Sequence, residues 1–338
     1  MIQQALARVV NKEDLAETEM MAVMTEIADG VATPAQIGAF LVALRLKGET
    51  VAEITAAARM MRARCEKIPY PGSKVCLDRE EINLDQETIV DTCGTGGDGT
   101  KTFNVSTTAA FVVAGAGLKV AKHGNRSVSS RCGSADVVEA LGVRLDLTPG
   151  QVAACLERIG IGFLYAPVLH ASMGRVAGLR REIGLRTIFN LLGPLTNPAG
   201  ASVQVLGVYR PDLTETLAYV LKNLGCRSAF VVYGQDCGDE ISITGPTKIT
   251  RLKDGQVSTF IFRPEEVGFR RARLDDIKGG DAAENAEIVL SVLKGRPGPC
   301  RQIVLLNAAA VLVAAGRAKD FQAGIELAAQ AIDSGRAD

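Results

Sequence analysis

Asp91-Thr92-Cys93-Gly94-Thr95-Gly96-Gly97-Asp98-Gly99-Thr100-Lys101-Thr102-Phe103-Asn104-Val105-Ser106-Thr107 sits between a short apolar run, Ile89-Val90, and an apolar helical pattern from Ala109 to Ala116. The order is therefore strand, glycine-rich loop, helix. The glycines let the backbone turn tightly and approach a ligand, because no Cβ intervenes. Ser106 and Thr107 open the helix, where free N–H groups and the helix dipole favour an anion. On its residues alone the stretch is a phosphate cradle. Gly94, Gly96 and Gly99 satisfy G-x-G-x-x-G, but Asp98 would repel a pyrophosphate there. The next strand ends in Lys122-His123, not in an acid for a ribose hydroxyl. Gly94 and Gly99 also have P-loop spacing, yet Thr100 intrudes and Lys101 falls one place late. A carboxylate beside such a cradle fits a sugar hydroxyl or a metal-bound water better than either motif.

Outward from this loop the chain alternates strands and helices. Strands are expected at 88–92, 118–122, 143–146, 161–165, 203–209 and 228–233. Helices are expected at 106–115, 134–141, 149–159, 212–224, 281–294, 300–315 and 320–333. The segment Thr247 to Phe262 is β-rich, with Asp254-Gly255 as a hairpin turn. This is an α/β domain with a mainly parallel central sheet, and ligands in such sheets sit at the carboxyl ends of the strands. The glycine loop and Lys122-His123-Gly124-Asn125 both fall there. Upstream the chain is helical. Asn11 is expected to cap a helix from Glu13 to Ala28 that Gly30 stops, and Thr33-Pro34-Ala35-Gln36 and Thr50-Val51-Ala52-Glu53 are capping boxes. These helices make a small bundle that could carry a dimer interface. Residues 68–83 look like a linker, and 167–198 is a second helical stretch ending in a turn-rich run, Pro194 to Gly200.

The chain of 338 residues is 47% apolar and only 4% aromatic, so its core is built from Ala, Val, Leu and Ile. Lys+Arg and Asp+Glu are both 38, which argues against a general nucleic-acid surface but leaves room for a local basic pocket. None of the eight cysteines forms C-x-x-C, and with only His123 and His170 a zinc site is not expected. Scattered cysteines imply reduced thiols of a cytoplasmic protein, with Cys93 in a packing role. No signal peptide and no membrane-spanning run are read.

Three groups could carry chemistry. Lys122 to Arg126, followed by Ser127, Ser129 and Ser130, offers cations, an amide and hydroxyls to a phosphate and a ribose. Asp239-Glu240 follows a strand, and on residues alone it is either a solvated acidic turn or a Mg²⁺ site. Arg180 is either a surface arginine or a grip for a carboxylate. His123 and His170 are expected to position rather than to carry protons.

Gly94-Thr95-Gly96-Gly97-Asp98, Asn104-Val105-Ser106-Thr107, Lys122-His123-Gly124-Asn125-Arg126, Gly133-Ser134-Ala135-Asp136, Arg186 to Pro198, Asp239-Glu240 and Gly279-Gly280-Asp281 together resemble the anthranilate phosphoribosyltransferases, in order and over almost the whole chain. The resemblance implies a nucleoside phosphorylase/phosphoribosyltransferase-like fold. Residues 1–68 with about 168–198 would form a small helical domain for dimerisation and the acceptor, and 84–167 with 199–338 a large α/β domain. It implies transfer of phosphoribose from phosphoribosyl pyrophosphate to anthranilate by a homodimer. Gly94, Asn125 and Arg180 would hold anthranilate. Gly94, Gly97, Asp98, Thr102, Asn104, Val105, Ser106, Thr107, Lys122, His123, Gly124, Asn125, Arg126, Ser127, Val128, Ser129, Ser130 and Ser134 would hold phosphoribosyl pyrophosphate. Ser106, Asp239 and Glu240 would bind Mg²⁺, with two ions expected per monomer. No catalytic acid, base or nucleophile is implied, although Lys122 is a candidate for stabilising the leaving charge. Where the family has Gly-Leu before the acid pair, this chain has Cys237-Gly238. The alternatives are a pyrimidine nucleoside phosphorylase, which would carry a further C-terminal domain for which a chain ending at Asp338 has no room, and a non-catalytic nucleic-acid-binding relative, which should show eroded motifs and a basic surface.

Overall fold

Four helices open the chain: α1 (Ile2–Val10), α2 (Glu17–Asp29), α3 (Pro34–Lys47) and α4 (Val51–Arg64). The computed structural model describes residues 1–70, 88–96, 102–127, 131–170 and 174–338. Most of the expected linker, together with Gly97, Asp98, Val128, Ser129 and Ser130, lies outside the described residues. The capping boxes at Thr33 and Thr50 form as expected, each hydroxyl accepting from the N–H three residues on. The first helix boundary differs from expectation. Asn11 follows α1 instead of opening a helix, and α2 starts at Glu17. Ile2, Ala5 and Val9 give α1 a buried stripe. Arg8 then donates to Glu13, Glu19 and the Asp14 carbonyl, and Leu15 N–H donates to Glu53, which fixes 13–16 as a turn.

The large domain contributes β1 (Ile89–Gly94), α5 (Val105–Gly115), β2 (Lys119–Gly124), α6 (Ser134–Ala140), α7 (Pro149–Ile159) and β3 (Ile161–Tyr165). Three helices follow: α8 (Ala166–Leu169), α9 (Gly174–Ile183) and α10 (Phe189–Leu195). Next come β4 (Val203–Gly207), α11 (Leu213–Asn223), β5 (Ser228–Gly234), β6 (Thr247–Lys253) and β7 (Gln256–Phe262). The chain finishes with α12 (Ala282–Leu293), α13 (Pro299–Ala314) and α14 (Phe321–Asp333). The strands form one sheet in the order β3-β2-β1-β4-β5-β6-β7. The first five in that order are parallel, and β6 and β7 add an antiparallel hairpin. Asp254 and Gly255 turn that hairpin with φ of 50° and 72°, the left-handed pair that its twist requires.

The strand expected at 143–146 is absent. Val143 N–H closes the end of α6 on the Val138 carbonyl, and Arg144 bonds Asp146 through its side chain. Val143 and Leu145 still pack on the core, so their alternation was real but has no neighbouring strand.

Period-two alternation sorts the sheet residues between two cores. Val203, Val205, Phe230 and Val232 face α5, α12, α13 and α14. Leu206, Val208, Ala229 and Val231 face α11 and the helices of the small domain, including Phe40, Leu41 and Ile54. Val176, Ile188, Leu191 and Leu195, from α9 and α10 and the turn between them, join this second core. No described helix is long and apolar enough to cross a membrane.

Candidate active site

The chain adds β2 and β3 on one side of β1 and then β4 and β5 on the other, so the winding of the sheet reverses between β1 and β4. A crevice forms at the carboxyl ends of strands at such a switch point. The residues there are Gly94 and Gly207, paired across the two strands. The turn after β5 folds back over them. A Cβ on Gly207 would lie 1.7 Å from the Asp239 carbonyl oxygen, and one on Gly94 would lie 2.1 Å from Asp239 Oδ2. Glycine is what admits the acid pair to the switch point. The Cys237-Gly238 variation fits this turn. Gly238 has φ of 66°, exchanges backbone bonds of 2.7 and 2.9 Å with Gly234, and the Cys237 side chain is buried.

Asp239 and Glu240 reach two different parts of the cradle. Gly96 N–H donates to Asp239 Oδ2 at 3.0 Å, and Ser106 N–H, at the start of α5, donates to Glu240 Oε1 at 3.0 Å. A carboxylate at a helix N-terminus is favoured by the helix dipole. Asn104 and Thr102 are propped from behind by the Gly279-Gly280-Asp281 motif. Phe103 N–H donates to Ile277 O at 3.2 Å, and Asn285 bridges the Gly280 N–H and Asn104 Oδ1.

At the end of β2 the side chains divide. Lys122 is buried and its Nζ donates to the Thr92 carbonyl at 2.5 Å, beneath the crevice. Asp91 beside it is fully buried; burial raises its pKa, and Lys122 and the Asn197 amide counter that rise. Asn197 Nδ2 donates to Asp91 Oδ2 and to the Ala121 carbonyl, each at 2.8 Å, so the turn after α10 is tied to β1 and β2. Asn125 is exposed, and Ser134 hydrogen bonds its backbone. Arg126 turns toward α6, donating to Asp136 and Glu139, while Ser127 N–H donates to Asp136 at 3.0 Å. Its guanidinium holds this loop in shape.

Burial, His170 and Lys122 push the His123 pKa down to about 3, and burial and Lys67 push His170 down to about 4. The rings meet edge-on at 5.4 Å. Both are neutral near pH 7 and poorly suited to carrying a proton. Burial also raises Cys93 well above the ordinary thiol range, as a packing role requires.

On α9, Arg180 is half-buried over the Phe189 ring, 5.6 Å from its centroid. Burial lowers its pKa, with no carboxylate among the described residues countering it. A partly desolvated guanidinium of this kind suits a carboxylate ligand. Arg186, for which the sequence suggested no individual role, donates to the Gly96 carbonyl at 3.0 Å. It belonged to a motif read as a block, and no local pattern marked its partner, 90 positions away.

Among the described residues no three His, Cys, Asp or Glu converge as a metal cage. The adjacent carboxylates of Asp239 and Glu240, the latter on the Ser106 N–H, are hard oxygen donors that suit Mg²⁺, which keeps waters and phosphate oxygens as its remaining ligands.

Comparison with known proteins gives one family. Residues 3–65 match the helical bundle domain of the glycosyl transferase family, and residues 86–338 match its a/b domain. The anthranilate phosphoribosyltransferase of Geotalea uraniireducens is 61% identical over 337 residues, which span 100% of this chain and 96% of its own length. That of Geobacter sulfurreducens is 59% identical, with 100% and 96% covered. The crystal structure of anthranilate phosphoribosyltransferase from Thermus thermophilus superposes with a TM-score of 0.89 at 41% identity, covering 98% of this chain and 95% of that one. The Saccharomyces cerevisiae enzyme in complex with phosphoribosyl pyrophosphate and Mg gives 0.86 at 27% identity, covering 99% and 94%.

Proposed function

The chain belongs to the anthranilate phosphoribosyltransferases of the glycosyl transferase family, and from that premise we propose how its residues divide the work. The enzyme transfers the 5-phosphoribosyl group from phosphoribosyl pyrophosphate to the amine of anthranilate, releasing pyrophosphate, in the second step of tryptophan biosynthesis from chorismate. Full-length identity to these enzymes leaves the nucleoside phosphorylase and nucleic-acid readings unsupported.

In the reaction the bond from C1 of the ribose to pyrophosphate breaks, with its electrons leaving on oxygen. The amine lone pair forms the new C–N bond, and a proton is then lost from nitrogen. We assign the glycine loop, Asn104 to Thr107 and the loop from Lys122 to Ser134 to the phosphoribosyl pyrophosphate side. The N–H groups at the start of α5 suit its anionic oxygens. Arg126 contributes by shaping that loop. Lys122 supplies positive charge beneath the crevice. Arg180 grips the anthranilate carboxylate, with Gly94 and Asn125 lining the acceptor side. Neutral His123 and His170 shape the pocket. Mg²⁺ bound by Asp239, Glu240 and Ser106 would neutralise charge on the departing pyrophosphate. The yeast enzyme's complex with Mg supports that metal, and two ions per protomer is the count we propose.

We also propose that 168–198 belongs with the small domain, because Val176, Ile188, Leu191 and Leu195 share the core of α1 to α4. A homodimer through the small domain is proposed because Val10, Val31 and Leu46 are exposed on it.

The observation that carries this assignment is that Asp239 and Glu240 bond the glycine loop and the N-terminus of α5 at the same switch point. Steady-state kinetics on two variants test it. Arg180→Ala should raise the anthranilate KM by about tenfold or more, the value of a lost charge-assisted pair, with little change for phosphoribosyl pyrophosphate. Asp239→Asn with Glu240→Gln should raise the Mg²⁺ concentration needed for half-maximal rate. Unchanged constants in either variant would refute its assigned role.

A further inference from the structure

Gly96 is held at both ends of its residue. Its N–H donates to Asp239, and its carbonyl accepts from Arg186 Nη1 at 3.0 Å. The Arg186 guanidinium lies 4.0 Å from the centroid of the Tyr209 ring. Tyr209 stands just beyond β4, where Val208 N–H donates to the Val232 carbonyl at 2.9 Å and fixes the chain to the sheet. Arg186 is anchored equally well. The next residue, Thr187, donates its N–H to Asn190 Oδ1 at 3.0 Å, and Ile188 is fully buried. A planar guanidinium stacked on a ring keeps its N–H edge free to donate sideways, which an ammonium does not reproduce.

We propose that Arg186 and Tyr209 are positioning residues that set the glycine loop for phosphoribosyl pyrophosphate through the Gly96 carbonyl. This rests on the reading of that loop as the phosphoribosyl pyrophosphate site. In this role Tyr209 acts through Arg186. It fixes the plane of Arg186, and Arg186 fixes the carbonyl of the residue whose N–H Asp239 holds. Gly96 is thereby set against the rigid sheet before substrate arrives, which lowers the ordering cost of binding. Because the clamp acts on the donor-binding loop, its loss should be read mainly in donor binding, not in the rate at saturation.

The test is steady-state kinetics in both substrates on Tyr209→Leu, Tyr209→Phe, Arg186→Gln and the Tyr209→Leu/Arg186→Gln double variant. Loss of the stack in Tyr209→Leu should raise the KM for phosphoribosyl pyrophosphate about tenfold, with kcat within about threefold. Tyr209→Phe, which keeps the ring, should restore most of that affinity. Arg186→Gln should show the same donor-side loss, and the double variant should be no worse than Arg186→Gln alone, as two members of one clamp require. Equal behaviour of Tyr209→Leu and Tyr209→Phe, multiplying losses in the double variant, or an unchanged donor KM would overturn the proposal. If Tyr209→Leu does not fold, Arg186→Gln decides by the same donor KM. A wild type that does not consume anthranilate would instead sink the assignment of the site, so the two failures are distinct.

Discussion

Gly207 has no side chain, and that is its contribution. The Asp239 carbonyl occupies the space a Cβ would need, 1.7 Å away, and the obstacle is backbone that cannot swing aside. Gly207→Ala should therefore move the acid pair, lowering activity by more than about tenfold and stability by about 1–3 kcal/mol, the range for overpacking, as seen in kinetics and urea unfolding. A variant of wild-type activity would mean that the acid pair tolerates displacement. The histidines make a second prediction. Their folded pKa values, about 3 and about 4, lie below the ordinary value of 6.5. Between these limits the unfolded chain binds protons that the folded chain does not. Their contribution is thus present above pH 6.5 and is lost as pH falls toward 4 and 3. The urea midpoint should decline from pH 7 to pH 5, and His170→Phe should flatten the decline. A wild-type midpoint that stays level would contradict the buried, neutral assignment. As candidate site residues, Asp239, Glu240 and Arg180 were legible in the sequence because the family motifs mark them. The role of Asn197 was not, because its partners Asp91 and Ala121 come from strands far away in sequence.

Helix boundaries were legible wherever a side chain in the same turn sets them. Thr33, Thr50 and Thr148 each accept from a backbone N–H three residues on, inside their own capping boxes. Thr148→Ala should cost about 1 kcal/mol of stability, read from denaturant unfolding, and should leave kcat and both KM values unchanged because α7 contributes no residue to the site. Loss of activity would show that α7 reaches the site after all. Boundaries were not legible where a distant group sets them. Asn11 looked like a cap, yet Glu53, 38 residues from Leu15, accepts the Leu15 N–H and delays α2 to Glu17. At 143–146 the alternation met the requirement for a buried face, but no neighbouring strand offered a ladder.

Across the molecule, the small domain meets the large one through polar contacts as well as a shared core. Arg62 Nη1, on α4, donates to the Leu224 carbonyl after α11 at 3.1 Å, while its Nε donates to the Leu195 carbonyl of α10, on the small domain's own side, at 2.7 Å. Arg62→Ala would leave both carbonyls without these donors and should destabilise the fold by about 1–3 kcal/mol, seen as a lowered urea midpoint. No change would mean that the apolar core alone holds the domains together. The α/β plan and the helical bundle were legible from periodicity and capping. The acid pair's seat over the β1–β4 switch point was not, because it depends on strand order, which no local pattern carries.

The most direct test of the account follows anthranilate fluorescence with the wild-type protein while phosphoribosyl pyrophosphate and Mg²⁺ are added separately and then together, with pyrophosphate measured in the same tube. The account predicts loss of fluorescence only when both are present, one pyrophosphate released per anthranilate consumed, and no cleavage of pyrimidine nucleosides by phosphate. A folded protein that leaves anthranilate untouched under these conditions would contradict it.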